Sequence, residues 1–308
     1  MKHARRGLRA AVLSALFLGM APIFGKQAIL AGLPPLAVVA LRTVFAALLL
    51  FFILLIFKRP FLHVYSLGLI GCLLAGAING IGSLFYYSAL GRIDAGIGQL
   101  LYSLYPLFVA LWLWLDKQPP TRLTLVRLAL AVPAVALLTL GGAHHLDPLG
   151  MGMMLLASAL YALHIPVNQR VLFDVPAPTV TLYTLLAMSG VVVPAFLILG
   201  PVQFPYSAAT WEPVIGLTLV TFFSRLTLFL GVKHIGGMQT ALLGLGELLV
   251  TLALSHWWLH ESLTSTQWAG AIILGVILLL AGIDQPAAPT RTHPGGGWLS
   301  WLRPRGLA

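Results

Sequence analysis

Charged residues are scarce in this chain, and cysteine is almost absent. Only 8% of the 308 residues are Asp, Glu, Lys or Arg, whereas a soluble domain carries about 25%. Hydrophobic residues make up 59%, so a water-facing surface of ordinary composition cannot be assembled. Cys72 is the only cysteine, which excludes an intrachain disulfide and a thiolate metal cluster. The composition therefore excludes a soluble globular protein and indicates one integral membrane bundle.

Long apolar runs divide the chain into segments of membrane-spanning length. A hydrocarbon core of about 30 Å requires about 20 helical residues, and Pro, Gly and charged residues separate the runs. The predicted spans are 8–31, 35–57, 66–90, 94–115, 124–141, 148–170, 177–199, 211–232, 237–258 and 266–283. The pattern predicts an all-α integral membrane protein with ten transmembrane helices.

The positive charges indicate how these spans are oriented. The net charge is +10, but Lys and Arg lie in short clusters between spans, whereas nucleic acid binding needs a basic face. If the spans alternate, fourteen of the eighteen Lys and Arg residues lie on the side of the N-terminus. The positive-inside rule then predicts a multi-pass protein of the cell membrane, with both termini cytoplasmic and with no nucleic acid as a partner. The first apolar run is long and further spans follow it, which favours an uncleaved first helix over a signal peptide.

The second half of the chain repeats features of the first. Residues 14–26 match residues 158–170 at Ser, Pro and Lys/Arg positions, and residues 93–106 pair with residues 235–248. We therefore predict a first five-helix repeat at 1–141, a second at 142–283, and a disordered cytoplasmic tail at 284–308. Because five is an odd number, the two repeats would enter the membrane in opposite senses. Such inverted repeats are typical of transporters.

Polar side chains inside the predicted spans form one stripe on each of several helices. Polar groups are costly in lipid, so each should face protein or water, and at about 100° per residue they fall within narrow arcs. The predicted substrate-binding residues are Asn79, Ser83, Tyr86, Gln99, Tyr102, Tyr161, His164, Asn168, Arg225 and Glu247. The stripes favour a partly hydrated cavity with aromatic walls. Hydrogen bonds that only join neighbouring helices are the alternative for any one of them.

Glu247 is the only carboxylate deep in a predicted span, which makes it the candidate for proton coupling. Arg225 lies within roughly 5 Å of the same depth, so the two are predicted to form a structural ion pair, or a functional pair in which Arg225 holds a substrate carboxylate or senses the proton state of Glu247. Arg42 either backs the cavity or anchors the second helix. Pro22 and Pro166 occupy matching repeat positions, and each removes a helix hydrogen bond. They are predicted to be hinges, with a static kink as the alternative.

No metal site, no cofactor and no enzymatic activity are predicted. His256, His260 and Glu261 have the side-chain types of metal ligands, but they lie beside Trp257 and Trp258 at the outer interface. Paired in-span aspartates, a Ser/His dyad at matched depth and an HExxH helix, the features of an intramembrane enzyme, are all absent.

Short motifs along the chain resemble those of one transporter family in their order and spacing. They are Ala40-Leu41-Arg42, Tyr86-Tyr87-Ser88-Ala89-Leu90, Ser103-Leu104-Tyr105-Pro106, Glu247 and His260-Glu261-Ser262-Leu263-Thr264. Across residues 8–283 the chain resembles the EamA-type transporters of the drug/metabolite transporter superfamily. Leu248 stands where that family often has Pro, which leaves the bend of the ninth span open. The resemblance implies a secondary transporter that exports small organic metabolites, such as amino acids, through a cavity shared by both halves.

The sequence leaves two further functions open. One is efflux of drugs or cations by the same fold, and the other is a non-transporting membrane sensor or scaffold, which would not need converging polar stripes. Alternating access follows only by analogy with the fold. The expected partners are a small-molecule substrate and the lipid bilayer. A monomer and a homodimer both fit, because inverted repeats can build a complete pathway in one chain.

Overall fold

The structure is a computed structural model that describes residues 2–93, 95–139, 147–200, 208–258, 264–283 and 298–299. Within these ranges every long element is a helix, and no strand occurs. The helices are α1 (Lys2–Leu30), α2 (Pro35–Phe57), α3 (Ser66–Leu90), α4 (Ala95–Tyr102), α5 (Tyr105–Leu115), α6 (Arg122–Thr139), α7 (Pro148–Leu172), α8 (Ala177–Leu199), α9 (Ala208–Ile235), α10 (Gly237–Gly244), α11 (Gly246–Trp258) and α12 (Ser265–Ile283). The predicted all-α class is confirmed.

Six helices are long and apolar enough to cross a membrane. They are Ala4–Leu30, Pro35–Phe57, Ser66–Leu90, Pro148–Leu172, Ala177–Leu199 and Trp211–Ile235, which correspond to the first three and to the sixth to eighth predicted spans. Large apolar side chains point outward from these helices, as Phe57 at 72% exposure and Ile198 at 78% do. Such a surface suits lipid rather than water. The other helices are shorter, so the total of ten spans stays a prediction.

The fourth and ninth predicted spans are each divided into two helices, which corrects the expectation of two unbroken spans. α4 ends at Tyr102 before α5 begins at Tyr105, and α10 ends at Gly244 before α11 begins at Gly246. Two tight turns of the i to i−3 type close each break, and they occur within one residue of corresponding positions in the two halves. The donor and acceptor residues are Leu104 and Leu101, Leu107 and Leu104, Leu245 and Leu242, and Leu248 and Leu245.

The first break has a local cause in the sequence. Pro106 is the second residue of α5, and proline lacks the N–H that a continuing helix needs while its ring clashes with the preceding turn. In the second half Leu248 stands at the corresponding position, and the helix is broken nevertheless. A proline is therefore not required for the bend of the ninth span.

The second break is in contact with the first. The hydroxyl of Tyr105 donates a hydrogen bond to the carbonyl oxygen of Ala241 at 3.0 Å, which is the carbonyl that the amide of Leu245 would use in a continuous helix. Gly244 makes room for this contact, because a Cβ atom there would lie 1.8 Å from the Tyr105 oxygen. The two breaks thus lie against each other near the centre of the bundle.

The two halves pack together with a two-fold pattern of contacts. α1 packs against α9 as α7 packs against α3, and α1 contacts α11 as α7 contacts α5. α2 contacts α9 as α8 contacts α3, while α2 pairs with α8 and α6 with α12. Exchanging the halves leaves this set of contacts unchanged. The repeat that the sequence predicts is therefore present in the helix packing.

Part of the predicted tail packs against the bundle. Leu299 is fully buried, and its amide donates to Asp116 Oδ1 at 3.1 Å. The same carboxylate forms a buried ion pair with Arg170, and the rings of Trp298 and Trp112 lie 6.4 Å apart. These two tail residues pack against the bundle. The rest of 284–308 lies outside the described residues, and its expected disorder stays a prediction.

Candidate functional site

A small cavity lies between the two halves of the bundle. α1 to α4 supply one part of its wall, and α7, α9 and α11 supply the other. Its lining residues are Leu18, Ala21, Pro22, Arg42, Asn79, Gly82, Ser83, Tyr86, Tyr87, Gln99, Tyr102, Ala157, Tyr161, Arg225 and Glu247. Eight of the ten predicted substrate-binding residues are in this set.

His164 and Asn168, the other two, lie behind the wall rather than in it. His164 is fully buried, and its Nε2 atom lies 3.4 Å from Nη1 of Arg225. Asn168 is one helical turn further along α7, and its amide donates to the His164 carbonyl at 2.9 Å. Helical periodicity predicted that both residues share one face of α7 with Tyr161, but only Tyr161 reaches the cavity. His164 instead helps to position Arg225.

Tyrosine rings form a continuous aromatic face on the cavity and beneath it. Tyr86 and Tyr102 meet edge to face at 4.8 Å, Tyr102 lies 5.2 Å from Tyr161, and Tyr105 lies 5.0 Å from Tyr161. The Tyr86 hydroxyl also donates to the side-chain oxygen of Gln99 at 3.4 Å. This face offers flat apolar surface with hydroxyl groups at its edges, as small-molecule sites commonly do.

Arg42 is a lining residue that the set of predicted binding residues omitted. Its side chain is buried at 7% exposure and lies over the ring of Tyr87, with the guanidinium carbon 4.8 Å from the ring centre. Nη1 donates to Thr221 and Nη2 donates to Ser83, both at 3.4 Å. The signal for Arg42 was present in the sequence as an arginine within an apolar run. Of the two predicted roles, the structure places it at the cavity.

Arg225 and Glu247 line the same cavity, but their charged groups form no contact within 4.0 Å in the described structure. The predicted structural ion pair is therefore not formed. Arg225 instead donates to the side-chain oxygen of Asn79 at 3.4 Å and lies over the ring of Tyr161. Glu247 is buried, and its Oε1 atom has no hydrogen-bond partner. Both residues line one cavity, but the gap between their charged groups was not available from the sequence.

The two candidate hinge prolines lie in different surroundings. Pro22 lines the cavity within α1, and Pro166 is buried within α7. Both helices run through their proline without interruption. The hinge role of both stays a prediction.

The part of the chain that the structure describes contains no cluster of three His, Cys, Asp or Glu side chains suited to a metal ion. Of the candidate ligands His256, His260 and Glu261, the last two lie outside the described residues.

Comparison with known proteins agrees with the two-fold packing. Residues 5–140 and residues 148–282 each match the model of the EamA-like transporter family. The chain belongs to this family. The resemblance seen in the sequence motifs is thereby confirmed, and the two separate matches show its two-repeat organisation.

Solved structures share the fold of this EamA-like protein. One, described only as "Crystal structure of protein", has a TM-score of 0.73 and 15% sequence identity, and the alignment covers 90% of this chain and 94% of the other. At that identity the likeness concerns the fold. Among curated proteins, none matches this chain.

Proposed function

We propose that this EamA-like protein is a secondary transporter that exports small organic metabolites, such as amino acids or related compounds, across the cytoplasmic membrane. The observation that carries the proposal is the polar, tyrosine-walled cavity between the two repeats. Its lining combines two cations, a carboxylate, two amides and several hydroxyl groups. Such groups are costly inside a membrane-spanning bundle, so their presence indicates a functional site. The protein belongs to a family of transporters, which favours transport over an enzymatic role.

Alternating access is the mechanism that we propose. Each helix contact between the halves has an equivalent in which the two halves are exchanged. A rocking motion would therefore convert one arrangement of the halves around the cavity into its two-fold equivalent. The divided spans supply short helices beside the cavity, and Pro22 and Pro166 are the candidate hinges. In this proposal ten spans form two inverted repeats with both termini in the cytoplasm. One chain, as a monomer or within a homodimer, holds a complete pathway through the bilayer.

Glu247 is the proposed coupling residue. Its carboxylate lies at the cavity with one oxygen that lacks a donor, so it has a free position at which to accept a proton. Export driven by a proton gradient would then alternate protonation of Glu247 with substrate binding in the same space. Facilitated diffusion is the alternative, and it would not depend on this residue.

Efflux from proteoliposomes tests the function. Vesicles loaded with a mixture of amino acids, other small metabolites and cationic dyes are followed with and without a pH gradient. We expect release of a defined subset, faster with the gradient, and loss of the gradient effect in Glu247→Gln. Glu212→Gln is the matched control, because Glu212 is exposed at the start of α9. No release from folded, inserted protein would contradict transport and favour the sensor or scaffold, whereas an unchanged gradient effect in Glu247→Gln would contradict coupling there.

A further inference from the structure

Two arginine side chains at the cavity lack an anionic partner. Arg42 and Arg225 are 7% and 5% exposed, and no carboxylate lies within 4.0 Å of either in the described structure. Every hydrogen bond that they make goes to a neutral group, and Nε of Arg42 has no partner. The contrast is with Arg170, equally buried, which is paired with Asp116. A buried cation without an anion is unfavourable, so the bundle has retained these two charges at a cost.

The two guanidinium groups bond to neighbouring side chains of α3. Arg42 donates to Ser83, and Arg225 donates to Asn79. Asn79 and Ser83 are four residues apart on α3 and are therefore neighbours on one face of that helix. Both arginines are therefore held at the same face of α3, and both line the cavity.

The charge of the wall favours one class of ligand. Among the lining residues that the structure describes, the charged side chains are two arginines and one glutamate. The wall therefore carries a net positive charge even when Glu247 is ionised. A guanidinium presents a planar fork of donors that matches a carboxylate. Cations are repelled by the same charges, which counts against the cation efflux that the sequence left open.

We propose that the cavity binds organic carboxylates and that Arg42 and Arg225 hold the carboxylate group. The proposal rests on the proposed transport function, because it names the substrate class of the same cavity. The tyrosine face adjoining the arginines would receive the apolar or aromatic body of the ligand. The hydroxyl group of Tyr161, buried and without a partner, is available for a polar group on that body.

Three isosteric probes separate charge from shape. Benzoate, benzamide and benzamidine share a planar aromatic body and carry negative, zero and positive charge. Binding is measured by isothermal titration calorimetry on the full chain in lipid nanodiscs, with empty nanodiscs as the blank. We expect benzoate to bind at least about tenfold more tightly than benzamide, since a hydrogen bond to a charged group contributes at least that factor. Benzamidine should not bind.

Variants of the two arginines test the assignment. Arg42→Gln and Arg225→Gln should each weaken benzoate binding by about tenfold to 100-fold. Arg42→Lys keeps the charge without the planar fork of donors, so it should retain part of the affinity for benzoate. It replaces the Gln variant if that variant fails to fold. Arg92→Gln is the control, because Arg92 is an exposed loop residue, and it should bind benzoate like the parent protein. Folding of each variant is checked by size-exclusion chromatography and thermal unfolding.

The outcomes are distinguishable from those of the transport experiment. Tighter binding of benzamide or benzamidine than of benzoate, no benzoate binding, or unchanged binding in folded Arg42→Gln and Arg225→Gln would overturn the carboxylate proposal. Efflux of neutral or cationic solutes would then leave transport intact with a different substrate class. Benzoate binding without efflux of any loaded solute would support carboxylate recognition and contradict the transport function.

Discussion

The contact between the two helix breaks makes a sharp prediction about Gly244. In Gly244→Ala the new methyl group would lie 1.8 Å from the hydroxyl oxygen of Tyr105, far inside any contact distance. Tyr105 is 2% exposed and packs against Tyr161, so its ring cannot move away freely. Overpacking of this kind costs about 1–3 kcal/mol. Displacing the hydroxyl also breaks its hydrogen bond to Ala241, worth about 0.5–1.5 kcal/mol.

Tyr105→Phe should relieve the clash. Without the hydroxyl oxygen, the nearest ring atom is Cζ at 3.2 Å from the position that an alanine Cβ would take, a distance that small shifts accommodate. Tyr105→Phe alone should therefore cost only the hydrogen bond. In that background Gly244→Ala should cost at least about 1 kcal/mol less than in the parent protein. The reason is that the clash and the broken hydrogen bond both involve the Tyr105 hydroxyl, which phenylalanine lacks.

A double-mutant cycle measures this coupling. Reversible unfolding by SDS in mixed micelles, followed by circular dichroism, gives the free energy of unfolding of the parent, both single variants and the double variant. Gly190→Ala in α8 is the matched control, because a Cβ atom there meets open space, and it should be neutral or stabilising by up to about 1 kcal/mol. Additive costs of the two substitutions would refute the reasoning that the Tyr105 hydroxyl packs against Gly244 at the break.

Three further predictions concern buried contacts. Cys72 is fully buried, so maleimide should label the folded protein only after SDS is added, whereas Arg92→Cys should react at once; rapid labelling of Cys72 itself would contradict the packing of α3. Gly76→Val should lower the free energy of unfolding by about 1–3 kcal/mol, because a Cβ atom there lies 2.5 Å from the Thr184 carbonyl oxygen. Leu299→Asp should cost about 1.5–3 kcal/mol through lost burial beside the bundle. SDS unfolding measures the costs of both substitutions. Unchanged stability in Gly76→Val would show that α3 and α8 do not pack as described, and unchanged stability in Leu299→Asp would show the same of the tail and the bundle.

Much of the site was predictable from the sequence because lipid makes polar groups conspicuous. An asparagine or tyrosine in a long apolar run has few places to go other than a protein interior or a cavity, and helical periodicity then assigns it to one face. Eight of the ten predicted residues reach the cavity for this reason. His164 and Asn168 share the face of Tyr161, but periodicity gives direction around a helix and not distance from its neighbours.

Contacts between distant segments were not predictable in the same way. Glu247 and Arg225 line the same cavity and could have paired, yet each has other surroundings in the packed bundle. The buried pair of Asp116 with Arg170, which also receives the amide of Leu299, joins three segments that no local pattern connects.

The sequence by itself determined the helical class, the membrane-spanning lengths, the repeat and the family, because these follow from composition, periodicity and motifs along the chain. Tertiary structure decided what meets at the division of the ninth span, where Tyr105 from the other half bonds to the Ala241 carbonyl. It also decided which charges are paired. Hydropathy is a property of each residue and its chain neighbours, whereas pairing depends on the lateral arrangement of helices, which exists only once the two halves have packed.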